Sequence, residues 1–173
     1  MSTRAISRNS SGETPFGGLH LLQEALANVQ WGEPSVLSKS ASTSGVSHLR
    51  SVARADSSLA LDIGVEPPFE VAFWAKVAPG GFIAPHIDAG PWWERWHFPV
   101  EAGGWFWEES KGHFQPAQPF TVRHWEPHAV YNNSDLSRIH FIVDRAVHPP
   151  DAPLEGPLVI TEMIPEIAAL FSD

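Results

Sequence analysis

Three short stretches of the chain carry side chains suited to metal and anion chemistry. In Pro85-His86-Ile87-Asp88 an imidazole and a carboxylate stand two residues apart. On an extended strand, where successive side chains alternate, both point to one face and can grip a single cation. Further along, His128 in His128-Ala129-Val130-Tyr131-Asn132 can supply a second imidazole. Two histidines and one carboxylate leave half the positions of an octahedral iron(II) open to a cosubstrate and oxygen. The long separation between His86 and His128 suits ligands drawn from different strands of a rolled sheet. Ten residues beyond His128 comes Arg138, in Ser137-Arg138-Ile139-His140-Phe141-Ile142-Val143-Asp144. Alternation there places Ile139, Phe141 and Val143 on one face, and Arg138 and His140 on the other. A guanidinium on the inside of a barrel needs an anion, because an unpaired buried charge is costly. A dicarboxylate such as 2-oxoglutarate can provide one through paired, charge-assisted hydrogen bonds.

Each piece has an ordinary alternative when taken alone. His86 and Asp88 fit a turn in which the aspartate caps backbone amides. His128 fits a polar strand end, with His124 as a rival ligand. Arg138 fits a surface ion pair, and His140 a satisfied core histidine.

These residues need strands to position them, and the middle of the chain has strand character. Phe69–Val77, Trp93–Val100, Trp105–Glu108, Phe120–Trp125 and Arg138–Val143 are rich in aromatic and β-branched residues. Pro79-Gly80-Gly81, Ala102-Gly103-Gly104 and Asn132-Asn133-Ser134-Asp135 read as turns. Many short strands with no helix between them predict a mostly β fold, a sandwich, barrel or jelly roll. Before them, Leu19, Leu22, Leu26 and Val29 recur at helical spacing, predicting a helix between Pro15 and Val29 that ends near Gly32 and Pro34. The Ser-rich stretch 35–58 reads as loop with one or two short strands. Leu158 to Phe171 predicts a short C-terminal helix interrupted at Pro165. Residues 1–13 read as a flexible polar leader, and 14–173 as a single domain.

Composition narrows the function. Hydrophobic residues make up 43% of the 173 and charged residues 18%, as in a globular domain rather than a disordered chain. The net charge of −9 argues against a nucleic-acid backbone as partner. The absence of cysteine removes thiolate ligands and disulfides, so a metal site must draw on histidine and carboxylates. No apolar run approaches the roughly 20 residues of a membrane span, and the N-terminus has no apolar stretch of signal-peptide type. A cytoplasmic location without membrane contact is the default expectation.

From Val71 to Pro150 the chain resembles the aspartyl/asparaginyl β-hydroxylase family of iron(II)- and 2-oxoglutarate-dependent oxygenases. The resemblance is carried by Pro79-Gly80, Pro85-His86-Ile87-Asp88, Arg95-Trp96-His97-Phe98-Pro99-Val100, His128-Ala129-Val130-Tyr131-Asn132, Arg138-Ile139-His140-Phe141-Ile142-Val143-Asp144 and His148-Pro149 in that order. It implies a double-stranded β-helix of jelly-roll or cupin-like type, with His86, Asp88 and His128 as catalytic iron ligands and Arg138 on the distal carboxylate of 2-oxoglutarate. By the family's Arg-x-His pair, His97 would contact the cosubstrate near its metal-binding end, and Arg95 would face substrate or cosubstrate. The activity implied is dioxygenase chemistry: O2 and 2-oxoglutarate are consumed, succinate and CO2 released, and an aliphatic carbon hydroxylated. Asp88 departs from members that carry glycine there and restores the fuller ligand set. Val122-Arg123-His124-Trp125 replaces an acidic segment that often precedes the distal histidine.

Trp92 and Trp93, directly after the metal motif, are candidate walls of the substrate pocket, as is His140. The preferred substrate is a free amino acid, a small peptide or a biosynthetic intermediate. Two other functions fit the residues. A cupin-type metalloenzyme that needs no 2-oxoglutarate would draw His97 and His124 into the ligand set. A non-catalytic jelly-roll binding module would display the aromatic residues and hold no metal.

Overall fold

The computed structural model describes residues 16–36, 38–39, 46–88 and 94–152. The expected leader, the expected C-terminal helix, and Trp92 and Trp93 lie outside these residues. Among the described residues two helices and nine strands follow one another: α1 (Leu19–Leu26), β1 (Ser38–Lys39), β2 (Val46–Arg54), α2 (Ser57–Asp62), β3 (Phe69–His86), β4 (Glu94–Glu101), β5 (Trp105–Glu108), β6 (Gly112–Phe114), β7 (Phe120–Val122), β8 (His128–Tyr131) and β9 (Arg138–Arg145). All pairings are antiparallel, in the order β6-β5-β8-β3-β9-β4-β7, with β2 also on β3 and β1 on β2. The result is a mostly β, rolled sheet of double-stranded β-helix type.

Strand β3 organises the roll. It runs for 18 residues; its first half pairs with β9 and its second half with β8. Pro79-Gly80-Gly81, expected to be a turn, is instead a corner inside this strand. Gly80 takes φ 75°, a left-handed conformation that only glycine adopts freely. A Cβ on Gly81 would lie 2.9 Å from the carbonyl oxygens of Ala78 and His48, so the close approach of β2 at the corner requires glycine. Strand β2 follows the bend by shifting register between His48 and Arg50. The stretch expected to be loop with one or two short strands holds β1 and the longer β2, and α2 follows, with Asp56 capping its first turn by accepting from the Ser58 amide at 2.9 Å.

Alternation divides the strands into two buried faces. One carries Ala72, Trp74, Phe98, Ile139, Phe141 and Val143, covered by Leu22 of α1 and Ala60 of α2. The spacing of Leu19, Leu22 and Leu26 turns the apolar side of α1 toward this sheet face. The other face, inside the roll, holds a smaller apolar cluster of Val77, Phe106, Val122 and Val130. Polar and charged side chains fill the rest of that interior. No helix among the described residues is long and apolar enough to cross a membrane.

Candidate metal centre

His86 ends β3, and His128 opens β8 directly opposite it. Their rings lie side by side, centroids 4.3 Å apart. Asp88 follows two residues later, its amide donating to the His124 carbonyl at 3.0 Å. Its Oδ1 lies 3.5 Å from His86 Nε2 and its Oδ2 lies 3.6 Å from His128 Nε2. Ligand atoms of the three residues fall within 4.8 Å of one another, and all three residues are buried.

The hydrogen bonds behind the rings fix what the cluster can bind. His86 Nδ1 donates to the Ala84 carbonyl at 2.7 Å, and His128 Nδ1 donates to the Glu126 carbonyl at 2.9 Å. A carbonyl only accepts, so each ring carries a proton on Nδ1, and the neutral form of each turns a bare Nε2 toward Asp88. Asp88 Oδ1 is buried without a hydrogen-bond partner among the described residues. Two nitrogen lone pairs and a carboxylate thus converge with no proton between them. Two imidazoles and one carboxylate so arranged could hold a divalent cation.

Arg95, on β4, anchors the carboxylate. It donates to Asp88 Oδ2 through one nitrogen and grips Asp144 at 2.6 and 2.9 Å through two others. Burial alone would push the Asp88 carboxyl up; the Arg95 guanidinium outweighs it and holds the group well below the usual carboxylate range. Arg95 is raised in turn: burial opposes its charge, but Asp88 and Asp144 more than offset that. Arg95 therefore orients the Asp88 carboxylate within the candidate site.

Arg138 lies at the far side of the same interior, 1% exposed. One of its nitrogens lies 3.2 Å from His140 Nδ1 and its guanidinium lies 5.9 Å from the Phe106 ring centre. Among the described residues no carboxylate pairs with it, and its Nε has no hydrogen-bond partner. Burial pulls it down to about 9, leaving a desolvated cation at neutral pH.

His97 stands between Arg138 and the metal cluster. Its Nδ1 is 3.4 Å from His140 Nδ1, and its ring stacks on Phe120 at 5.0 Å. Since His140 Nδ1 accepts from Arg138, His97 can approach that atom only as a donor. Burial, then the charge of Arg138, holds both His97 and His140 well below the usual histidine range, so both are neutral. His124 is buried beside the cluster, lowered to about 4 by burial and then by Arg95. Neither His97 nor His124 belongs to the convergent group, so the four-histidine set weighed from sequence is not assembled among the described residues.

Two residues escaped the sequence reading. Asp144 shares the face of Arg138 and His140 by simple alternation, a signal present in the quoted motif but given no role. Arg50 sits in the Ser-rich stretch, where the one or two strands expected had no assigned position.

No protein-family model matches the chain, and no curated protein does. Solved structures do. One, described as that of the DMSP lyases RdDddP and RnDddQII, is 14% identical and has a TM-score of 0.51, covering 78% of this chain and 67% of that one. The polyketide cyclase RemF from Streptomyces resistomycificus is 14% identical with a TM-score of 0.48, covering 76% and 85%. A cupin-2 domain from Rhodospirillum rubrum is 16% identical with a TM-score of 0.45, covering 84% and 82%. None of the three is described as an aspartyl/asparaginyl β-hydroxylase. The first supports the rolled β fold, and at this identity the chemistry stays open.

Proposed function

We propose that this protein is an iron(II)- and 2-oxoglutarate-dependent dioxygenase that hydroxylates an aliphatic carbon of a small substrate, as in the aspartyl/asparaginyl β-hydroxylase family. The observation that carries the reading is Arg138: a buried guanidinium with no carboxylate partner among the described residues, on the same interior face as a bare His-Asp-His cluster. A metal alone does not explain such a cation, because the arginine repels it. An anionic cosubstrate that bridges metal and arginine explains both.

His86 Nε2, His128 Nε2 and Asp88 Oδ1 would hold the iron, which supplies the oxygen activation coupled to decarboxylation of 2-oxoglutarate to succinate and CO2. The protein's own groups do the rest. The Ala84 and Glu126 carbonyls keep both imidazoles in the ligating tautomer. Arg95 occupies Asp88 Oδ2 and leaves Oδ1 for the metal. Arg138, steadied by His140, would take the distal carboxylate. His97, neutral and wedged between the two ends, would line the path of the cosubstrate.

The test is calorimetric titration of Mn(II)-loaded protein with 2-oxoglutarate, together with succinate formation under iron(II) and oxygen. Arg138→Met is expected to weaken 2-oxoglutarate binding about 100-fold, the scale of losing one partner of a buried charge pair. Tight metal binding with no measurable affinity for 2-oxoglutarate would sink the reading.

A further inference from the structure

A second guanidinium lines the same interior. Arg50 on β2 faces Val77 on β3, which faces Arg138 on β9. Residues in one cross-strand row share a face, so Arg50 looks into the roll with the site residues. It is half-buried, its Nε is buried with no hydrogen-bond partner, and among the described residues no carboxylate pairs with its side chain. It lies near enough to the metal cluster to interact with Asp88 and Arg95: burial pulls it down, and the attraction of Asp88 only partly offsets that.

Charge bookkeeping on this face gives Arg50 a task. Glu108 is neutralised by Lys111 at 3.0 Å. Of the buried and half-buried carboxylates and guanidiniums on this face, Asp88 and Asp144 stand against Arg95, Arg138 and Arg50, leaving one positive charge; Arg54, beyond Val52 on the same row, is exposed and screened by water. A divalent metal raises the excess to three, and a 2-oxoglutarate dianion returns it to one. The balance calls for one further negative charge, which a carboxylate matches and a phosphate monoester, at about −1.5 to −2, exceeds. Next to Arg50 on the same face stands Val52, 45% exposed, and further along it Phe73, half-buried, pairs with Arg54. These offer contact to an apolar body.

We propose that Arg50 is a specificity-determining residue that binds the carboxylate of a substrate consisting of an apolar body with a single negative charge. The assignment rests on the oxygenase reading for the presence of 2-oxoglutarate. It concerns a different side chain and a different ligand.

The experiment uses the full chain loaded with Mn(II) and saturated with 2-oxoglutarate, without oxygen. The probes are N-acetyl-leucine and its uncharged amide, followed by paramagnetic broadening of their proton NMR signals. The expected result is binding of the acid at least tenfold tighter than the amide. Arg50→Met abolishes that preference, and Arg50→Lys keeps part of it. Arg50→Met leaves the 2-oxoglutarate titration within twofold and has an unliganded melting midpoint at or above that of the parent, because a desolvated cation without a partner costs stability. Equal broadening by acid and amide in the parent, or a preference that survives in Arg50→Met, overturns the assignment. So does loss of 2-oxoglutarate binding in Arg50→Met, which would make Arg50 a cosubstrate group. The two readings fail separately. If 2-oxoglutarate does not bind but the acid preference depends on Arg50, the oxygenase reading falls and this assignment stands.

Discussion

Strand β9 buries two faces of equal depth and opposite chemistry. Ile139, Phe141 and Val143 point outward into the cluster under α1; Phe141 lies 5.1 Å from Trp74 and 6.2 Å from Phe98, ring centre to ring centre. Arg138, His140 and Asp144 point inward, each 3% exposed or less. The outward face gains free energy by leaving water, at roughly 25 cal/mol per Å² of apolar surface. The inward face loses it, because charged and polar groups give up hydration for partial pairing. The difference teaches that one face holds the fold together and the other is kept for what it binds. Ligands are the missing partners that would balance the interior.

Four measurements would break or sharpen this contrast. Phe141→Ala should lower the unfolding free energy by about 3–5 kcal/mol in a denaturant titration, the cost of a large core cavity. A loss as small as that of a surface substitution would deny the outward face its structural role. Next, Mn(II) at about a thousand times its Kd should raise stability by roughly 4 kcal/mol. Asp88→Ala should remove the shift, and a shift that persists would place the metal elsewhere.

Third is pH. Burial holds His86, His97, His124 and His140 below the ordinary histidine value in the fold. The unfolded chain therefore takes up protons first as pH falls below about 6.5, and stability drops with decreasing pH in that window. Each such histidine contributes up to about 1.4 kcal/mol per pH unit. Melting curves of the metal-free protein between pH 7 and 5 check it; a flat midpoint would mean the inner face is wetter than its burial implies. Smallest is Arg138→Met. Stability of the unliganded protein should stay level or rise by about 1 kcal/mol, since an unpaired buried charge is replaced by an apolar chain of similar size. A fall of several kcal/mol would reveal a structural partner for the guanidinium.

Most strands around the site were legible because they alternate, but β8, which carries His128, was not among the strands assigned. Trp105–Glu108 was read with the bounds it has, and Phe69–Val77 and Arg138–Val143 were found but cut short. Within 35–58 one or two short strands were expected, but not the place or length of β2: its Ser and Arg residues carry little strand propensity, and it holds its place through pairing with β3. The corner at Gly80 and Gly81 was read as a turn because local chemistry there is turn chemistry; only the neighbouring strand that follows the bend keeps it within the sheet.

Local pattern by itself determined that the chain is mostly β, that α1 buries one side, that His86 and Asp88 share a face, and that Arg138 and His140 oppose Ile139 and Phe141. Those are consequences of side-chain period, which is a property of consecutive residues. Tertiary structure alone decided that His128 closes on His86, that Arg95 spends its charge on Asp88 and Asp144, and that Arg50 joins the interior. Such contacts join residues far apart in the chain, and their energies depend on burial and distance, which appear only once the sheet has rolled.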